Sequence, residues 1–267
     1  MKKGIWIALI VLLLGVFCFS GWKLTGILRE YRTGEKAYEE LEQFVSIPAA
    51  KKEQSPASEK PQSQTGEAPS EPESAIGWPA VDFDALRKVN QDVVGWIYIP
   101  DTRVNYPIVQ GKDNDRYLYR LIDGSYHSAG SIFLDADNLP DFSEKNSSIY
   151  GHNMKNGTMF ADVTGYKSQE FYDAHPIALL VTPEKNYVVH LFSGYVTDAW
   201  ADAWDTNFST EQYQKWLDKR IQKSCFCAKT VPTTEDRVLT FSTCTYETQD
   251  GRFVVHGILE EYKTAAG

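Results

Sequence analysis

Nineteen consecutive residues, Gly4 to Trp22, carry no charge. As a helix, at 1.5 Å per residue, such a run spans roughly 28 Å, close to the ~30 Å hydrocarbon core of a bilayer. In lipid every backbone N–H and C=O must find its partner within the segment, so a lone span is a helix. Lys2 and Lys3 stand before it. The positive-inside tendency then puts the N-terminus in the cytoplasm and the remainder of the chain outside a single-pass cell-membrane anchor. A cleaved signal peptide is the competing reading. The run is long for one, and Cys18-Phe19-Ser20 is a poor small-x-small cleavage site. Gly15-Val16-Phe17 is an equally poor context for acylation at Cys18.

Beyond this anchor, residues 1–23, the pattern changes twice. Leu24, Ile27, Leu28 and Tyr31 recur at helical spacing, and so do Tyr38, Leu41 and Val45. They predict a juxtamembrane helix over 24–47, broken near Gly34. Residues 48–79 are rich in Pro, Ser, Glu, Gln and Lys and nearly lack large apolar side chains, the composition of a disordered or extended tether. Residues 80–267 then form the folded domain. Removal of 1–79 is expected to leave it folded and active.

Within that domain the strand signals are short and frequent. Trp96–Ile99 and Val104–Val109 flank a Pro100-Asp101-Thr102 turn. Further strands are predicted at 131–134, 147–150, 178–182 and 187–196, then at 237–243 and 252–260. Helical signals are fewer. Phe83, Leu86, Val89 and Val93 make a short stripe. A longer helix starts at Ser209, with Gln212 in capping-box position and Tyr213, Trp216, Leu217 and Ile221 as its apolar face. Many short strands with interposed helices predict a mostly β fold, a small barrel decorated by helices.

Charge and cysteine content remove some function classes. The formal net charge is −9, which argues against nucleic-acid binding. Of four cysteines, Cys18 lies in the apolar run, so the remainder is no disulfide scaffold. Cys225 and Cys227 have no other ligand pair nearby at zinc-site spacing, and no metal or other cofactor is expected.

The chemistry gathers at the last two strands. Leu239–Thr243 is an apolar run ending at Cys244, and Gly251–His256 resumes it after a turn. Side chains alternate along a strand, so Ser242 and Cys244 share one face, and Arg252 shares one with Val254 and His256. Upstream, Ser148-Ile149-Tyr150-Gly151-His152 runs a short strand into a histidine. A thiolate attacks an amide carbonyl, and an imidazolium at His152 with the guanidinium of Arg252 would favour its ionised form. Arg252 at a strand start facing Cys244 can donate to an oxyanion. The bland alternatives are a buried core thiol, a loop histidine and a surface arginine. His127, His175, His190 and His256 are the rival imidazoles.

Ser242-Thr243-Cys244 with Arg252 eight residues on, and Tyr150-Gly151-His152 upstream, resembles the sortase transpeptidases. Further stretches are similar to the class B branch: Gly95–Pro100, Asn105–Gln110, Tyr117-Leu118, Gly130–Asp135 and Asn156–Phe160. The resemblance covers roughly residues 80–262. It implies a closed eight-stranded β-barrel with N-terminal helices, and it makes the helix from Ser209, inserted before the cysteine strand, a class B hallmark. It assigns Cys244, His152 and Arg252 as catalytic, and Asn114, Leu118, Tyr150 and Ser242 as lining the groove for a sorting peptide. Thr245 stands where class B enzymes often carry an acidic residue. The implied activity cleaves an Asn/Ser-Pro-x-Thr-x motif of surface proteins after Thr, through a Cys244 thioester. The acyl group passes to an amine of peptidoglycan or its lipid-linked precursor. Two other functions use the same sequence: a hydrolytic cysteine protease with the same trio, and a non-catalytic surface binding module.

Overall fold

The computed structural model describes residues 2–48 and 77–262. Most of the expected tether, 49–76, lies outside the described residues. Helix α1 (Lys2–Glu39) contains the uncharged run, and it is the one described helix long and apolar enough to cross a membrane. It continues without a break through Gly34, against expectation. Gly34 is buried, and a Cβ there would sit 2.6 Å from Cε1 of His127. The missing side chain lets the helix approach the barrel closely instead of ending it. His127 completes the contact, its Nε2 meeting the Glu30 carbonyl at 2.8 Å while its Nδ1 accepts from Ala129 N.

A 3-10 turn, Glu40–Phe44, leads to strand β1 (Val45–Ser46), which pairs with β2 (Ala80–Val81) from beyond residue 76. Helix α2 (Phe83–Val89) is capped by Asp82, whose carboxylate accepts from Ala85 N. Eight strands then close a barrel: β3 (Val93–Tyr98), β4 (Asn105–Gln110), β5 (Ile132–Leu134), β6 (Asn146–Tyr150), β7 (Ile177–Val181), β8 (Asn186–Asp198), β9 (Val238–Cys244) and β10 (Gly251–Glu261). Their order is β10-β8-β7-β3-β4-β5-β6-β9, closed back to β10. Only β4–β5 and β6–β9 are parallel. Helix α3 (Gln169–Ala174) precedes β7, and α4 (Thr210–Lys223) lies between β8 and β9.

Strand alternation sorts the barrel's two faces. Ile97, Ile108, Ile149, Leu180, Val189, Leu239, Phe241, Phe253 and Val255 fill the interior. Trp96, Val109, Phe133 and Val181 point outward and are covered by Leu41 and Leu86. Phe192, Val238 and Ile258 also point outward, under Tyr213, Trp216 and Leu217 of α4. The capping box at Ser209 and Gln212 forms as expected. The α4 face differs at its end, where Ile221 is 39% exposed and Arg220 is fully buried. At ~100° per residue, Ile221 lies about 80° round from Tyr213, while Arg220 returns to within about 20° of it.

The N-terminal segment is tied to the barrel more deeply than its composition predicts. Tyr38 Oη donates to the Gly130 carbonyl at 2.6 Å, and burial pushes its pKa well up. Leu41 is 4% exposed, Asp82 N donates to the Phe44 carbonyl at 2.9 Å, and Trp78 lies 4.5 Å from the Tyr262 ring. A boundary at residue 80 cuts all of these. A chain starting at residue 80 is therefore expected to melt about 10 °C below one starting at residue 29, since losing buried groups of this size costs several kcal/mol, at roughly 2–4 °C per kcal/mol. Thermal circular dichroism on both chains measures this. Equal melting temperatures would show that α1 merely rests on the barrel.

Candidate active site

β9 and β10 pair so that Cys244 stands directly opposite Arg252, Ser242 opposite Val254, and Thr240 opposite His256. All six side chains are on the outer face of the barrel, since Phe241, Phe253 and Val255 between them point in. β6 lies parallel to the other edge of β9 with Tyr150 opposite Ser242, which carries the chain into Gly151-His152 beside the cysteine. Gly151 N donates to the Ser242 carbonyl at 3.1 Å. A Cβ at Gly151 would lie 2.8 Å from the Phe160 ring, so the turn into His152 has room only for glycine.

One cleft of about 580 Å³ brings these together. Cys244, His152 and Arg252 line it, as do Ser242, Tyr150, Asn114 and Leu118, so every site residue expected from the sequence meets in one place. Ser242 Oγ is buried with no partner among the described residues. Tyr150 Oη donates to Asp135 Oδ2 at 2.6 Å, which fixes its ring against Phe133. Asn114 Oδ1 accepts from Ala136 N at 2.8 Å, so it braces a loop as well as lining the wall. Leu118 contributes more than its side chain, because its carbonyl meets His152 Nε2 at 2.7 Å.

That last bond sets the tautomer. A carbonyl only accepts, so Nε2 carries the proton and a neutral His152 has its lone pair on Nδ1. Burial pushes the imidazole below its ordinary value; the Leu118 bond opposes this, and the Arg252 charge adds to it. The expected resting imidazolium is therefore disfavoured, and the free site holds a neutral ring able to take a proton. If that ring is the base, the acid limb of kcat/KM falls below pH 6.5, the ordinary imidazole value from which His152 is lowered. Replacing Arg252 by Gln removes a positive neighbour, which favours protonation and moves the limb upward. A pH profile of peptide cleavage with an acid limb above 6.5 in the parent would rule out this assignment.

Arg252 is half-buried, and its Nη1 donates to the Gly251 and Asp250 carbonyls at 3.1 and 3.3 Å. These bonds hold the guanidinium to the turn that precedes it. Thr245 is buried and takes Lys167 Nζ at 3.1 Å, and the same ammonium pairs with Glu247. The rival histidines all lie elsewhere. His256 is buried beneath α4, its Nδ1 2.8 Å from Thr240 Oγ1, and burial holds it neutral. His175 meets the Pro100 carbonyl, and His190 meets Glu260. Cys225 and Cys227 are exposed free thiols and do not line the cleft.

Sequence reasoning missed several residues here. Asn153 Nδ2 donates to the Cys244 carbonyl at 3.1 Å, and its own carbonyl takes Tyr246 Oη at 3.0 Å. The pair stitches the histidine loop to the cysteine strand. Trp200 and Trp204, from the loop after β8, complete a wall of the cleft. Two tryptophans, Trp200 and Trp204, between the predicted strand 187–196 and the helix from Ser209 were the available signal.

The family model described as the sortase domain matches residues 97–260. The chain is 35% identical over 255 residues to sortase B of Listeria monocytogenes, covering 94% of this chain and 95% of that one. The crystal structure of Bacillus anthracis sortase B in complex with AAEK1 superposes with a TM-score of 0.70 at 32% identity, covering 88% and 100% of the two chains. A Staphylococcus aureus sortase B–substrate complex gives a TM-score of 0.65 at 34% identity, covering 68% and 85%.

Proposed function

Since the chain belongs to the sortase family and is a cysteine transpeptidase of class B, we propose that it works at the outer face of a membrane, held by α1, and joins surface proteins to the cell wall. The substrate is a C-terminal sorting motif of the Asn/Ser-Pro-x-Thr-x type. It lies in the cleft along β6 and β9, against Tyr150, Ser242, Asn114 and Leu118.

His152 takes the Cys244 proton on Nδ1 as the sulfur attacks the carbonyl carbon of the motif's Thr. The carbonyl π electrons move to oxygen, and Arg252 donates to that oxyanion, with backbone N–H groups assisting. When the intermediate collapses, the C–N bond breaks and His152 returns its proton to the leaving amine. A thioester remains on Cys244. His152 then takes a proton from an incoming amine of peptidoglycan or its lipid-linked precursor as its nitrogen attacks the thioester carbonyl; the C–S bond breaks, the proton passes from His152 to the Cys244 sulfur, and a new amide is left. No metal enters any of these steps.

The observation that carries this reading is the cross-strand register that puts Arg252 opposite Cys244, with His152 in the same cleft. The test is product analysis with a panel of sorting peptides, with and without amine acceptors. Cleavage after Thr, with amine-dependent transfer product, is expected. Hydrolysis unaffected by any amine would sink the transfer step, and cleavage elsewhere would sink the motif.

A further inference from the structure

Behind one wall of the cleft lies a buried polar cluster that takes no part in this chemistry. At its centre is Arg220 of α4, fully buried. Its Nη2 donates to the Asp202 carbonyl at 2.6 Å and pairs with Asp202 Oδ1 at 3.0 Å. The guanidinium lies 4.5 Å from the Trp216 ring. Asp202 receives two more bonds from the same helix, Trp216 Nε1 on its carbonyl and Lys219 Nζ on Oδ2, both at 2.7 Å. From the barrel side, Asn146 Nδ2 donates to the carbonyls of Ala203 at 3.2 Å and Asp205 at 3.0 Å. Asn146 Oδ1 accepts from Thr240 Oγ1 at 2.6 Å, and that hydroxyl also meets His256.

These bonds converge on the underside of one segment, 202–205. Its neighbours Ala199 and Trp200, with Trp204, face the cleft that holds Cys244. Trp200 is 90% exposed. Two features are unfavourable for stability alone. A buried ion pair can often be replaced as a whole by apolar side chains without loss, and Arg220 Nε and Nη1 have no partner among the described residues. An indole standing in water gains nothing from its apolar area. Both make sense together if the cation fixes the segment and the indole is covered by substrate.

We propose that Arg220 is a positioning residue for substrate binding: through Asp202 it holds the 199–204 segment so that Trp200 closes over the peptide beside Cys244. This rests on reading that cleft as the peptide site. Arg220 touches neither thiol nor substrate, and its effect is therefore on binding, carried by Trp200.

The test uses the full chain in detergent micelles, with steady-state cleavage of one sorting-motif peptide. Arg220→Met is expected to raise KM by roughly ten- to a hundredfold, the scale set by losing charge-assisted bonds, with kcat within about threefold of the parent. Trp200→Ala is expected to raise KM similarly, and the double variant only slightly more, because both changes remove one interaction. Arg220→Lys does not rescue, since an ammonium on a flexible stem lacks the planar guanidinium face that lies over Trp216 while Nη2 reaches Asp202. Reaction of Cys244 with a small methanethiosulfonate reagent, which needs no peptide wall and is read on the Cys244 peptide because Cys225 and Cys227 are also exposed, keeps its parent rate in the Arg220 and Asp202 variants. If Arg220→Met does not fold, Asp202→Asn takes its place, losing the charged partner and keeping the carbonyl, and is expected to raise KM several-fold. An unchanged KM, a fall confined to kcat, or fully additive losses for Arg220 and Trp200 overturns the proposal. Cys244→Ala in the same assay separates the two readings. Turnover surviving that change removes the peptide-site assignment itself, whereas its loss beside an unaltered Arg220→Met KM removes only the positioning role.

Discussion

Replacing Cys244 with alanine is expected to abolish cleavage and transfer while leaving the fold intact. The thiol sits at the end of β9, half-buried, and contributes nothing to the barrel interior. What fixes this strand end is backbone: pairing with Arg252, and the Asn153 bond to the Cys244 carbonyl. Both survive the substitution, so the melting temperature should hold. Loss of the nucleophile removes the covalent path, and turnover falls by at least about 10⁴-fold, to what binding and oxyanion donors supply alone. Cys225→Ala and Cys227→Ala are the controls. Both thiols are exposed and away from the cleft, and turnover should stay at the parent level. Peptide products quantified by mass spectrometry decide the matter: residual turnover above about 1% in Cys244→Ala would mean that another group attacks the carbonyl.

Arg252→Lys should also be severe, although the charge is kept. Arginine offers a planar fork of donors, and lysine a point charge on a flexible stem. In the structure one arm of the fork, Nη1, is bound to the Gly251 and Asp250 carbonyls, which leaves other donors available toward Cys244. An ammonium has no such division of labour. If Arg252 stabilises the oxyanion, kcat falls by roughly 10²–10³, or about 2.7–4 kcal/mol, and KM changes little. If it only grips the peptide equally in ground and transition states, KM rises and kcat is preserved. Steady-state kinetics of Arg252→Lys and Arg252→Ala on one peptide separate these roles. A kcat within about threefold of the parent, below roughly 0.7 kcal/mol, would take Arg252 out of the catalytic set.

The sequence by itself determined what depends on local pattern. An uncharged run of this length dictates a helix, and α1 contains it. Alternation placed Ser242 and Cys244 on one strand face and Arg252 with Val254 and His256 on another, because side-chain period two is a property of any extended chain. Ser209 and Gln212 announced the start of α4, because a capping box is satisfied within a single turn.

The tertiary structure decided what depends on contacts between distant segments. Whether the two strand faces coincide rests on register, and pairing Arg252 with Cys244 settles it. Gly34 read as a helix breaker because local propensity counts only its own backbone cost. The ring of His127, more than ninety residues on, explains why the helix runs through it. Ile221 read as the end of α4's apolar face, and the Asp202 loop instead makes Arg220 the buried residue there. His152 read as an imidazolium partner. Its burial and its bond to the Leu118 carbonyl make it a neutral ring with a defined tautomer. Desolvation, register and close approach are each set by what the rest of the chain places nearby, and no local stretch of sequence encodes them.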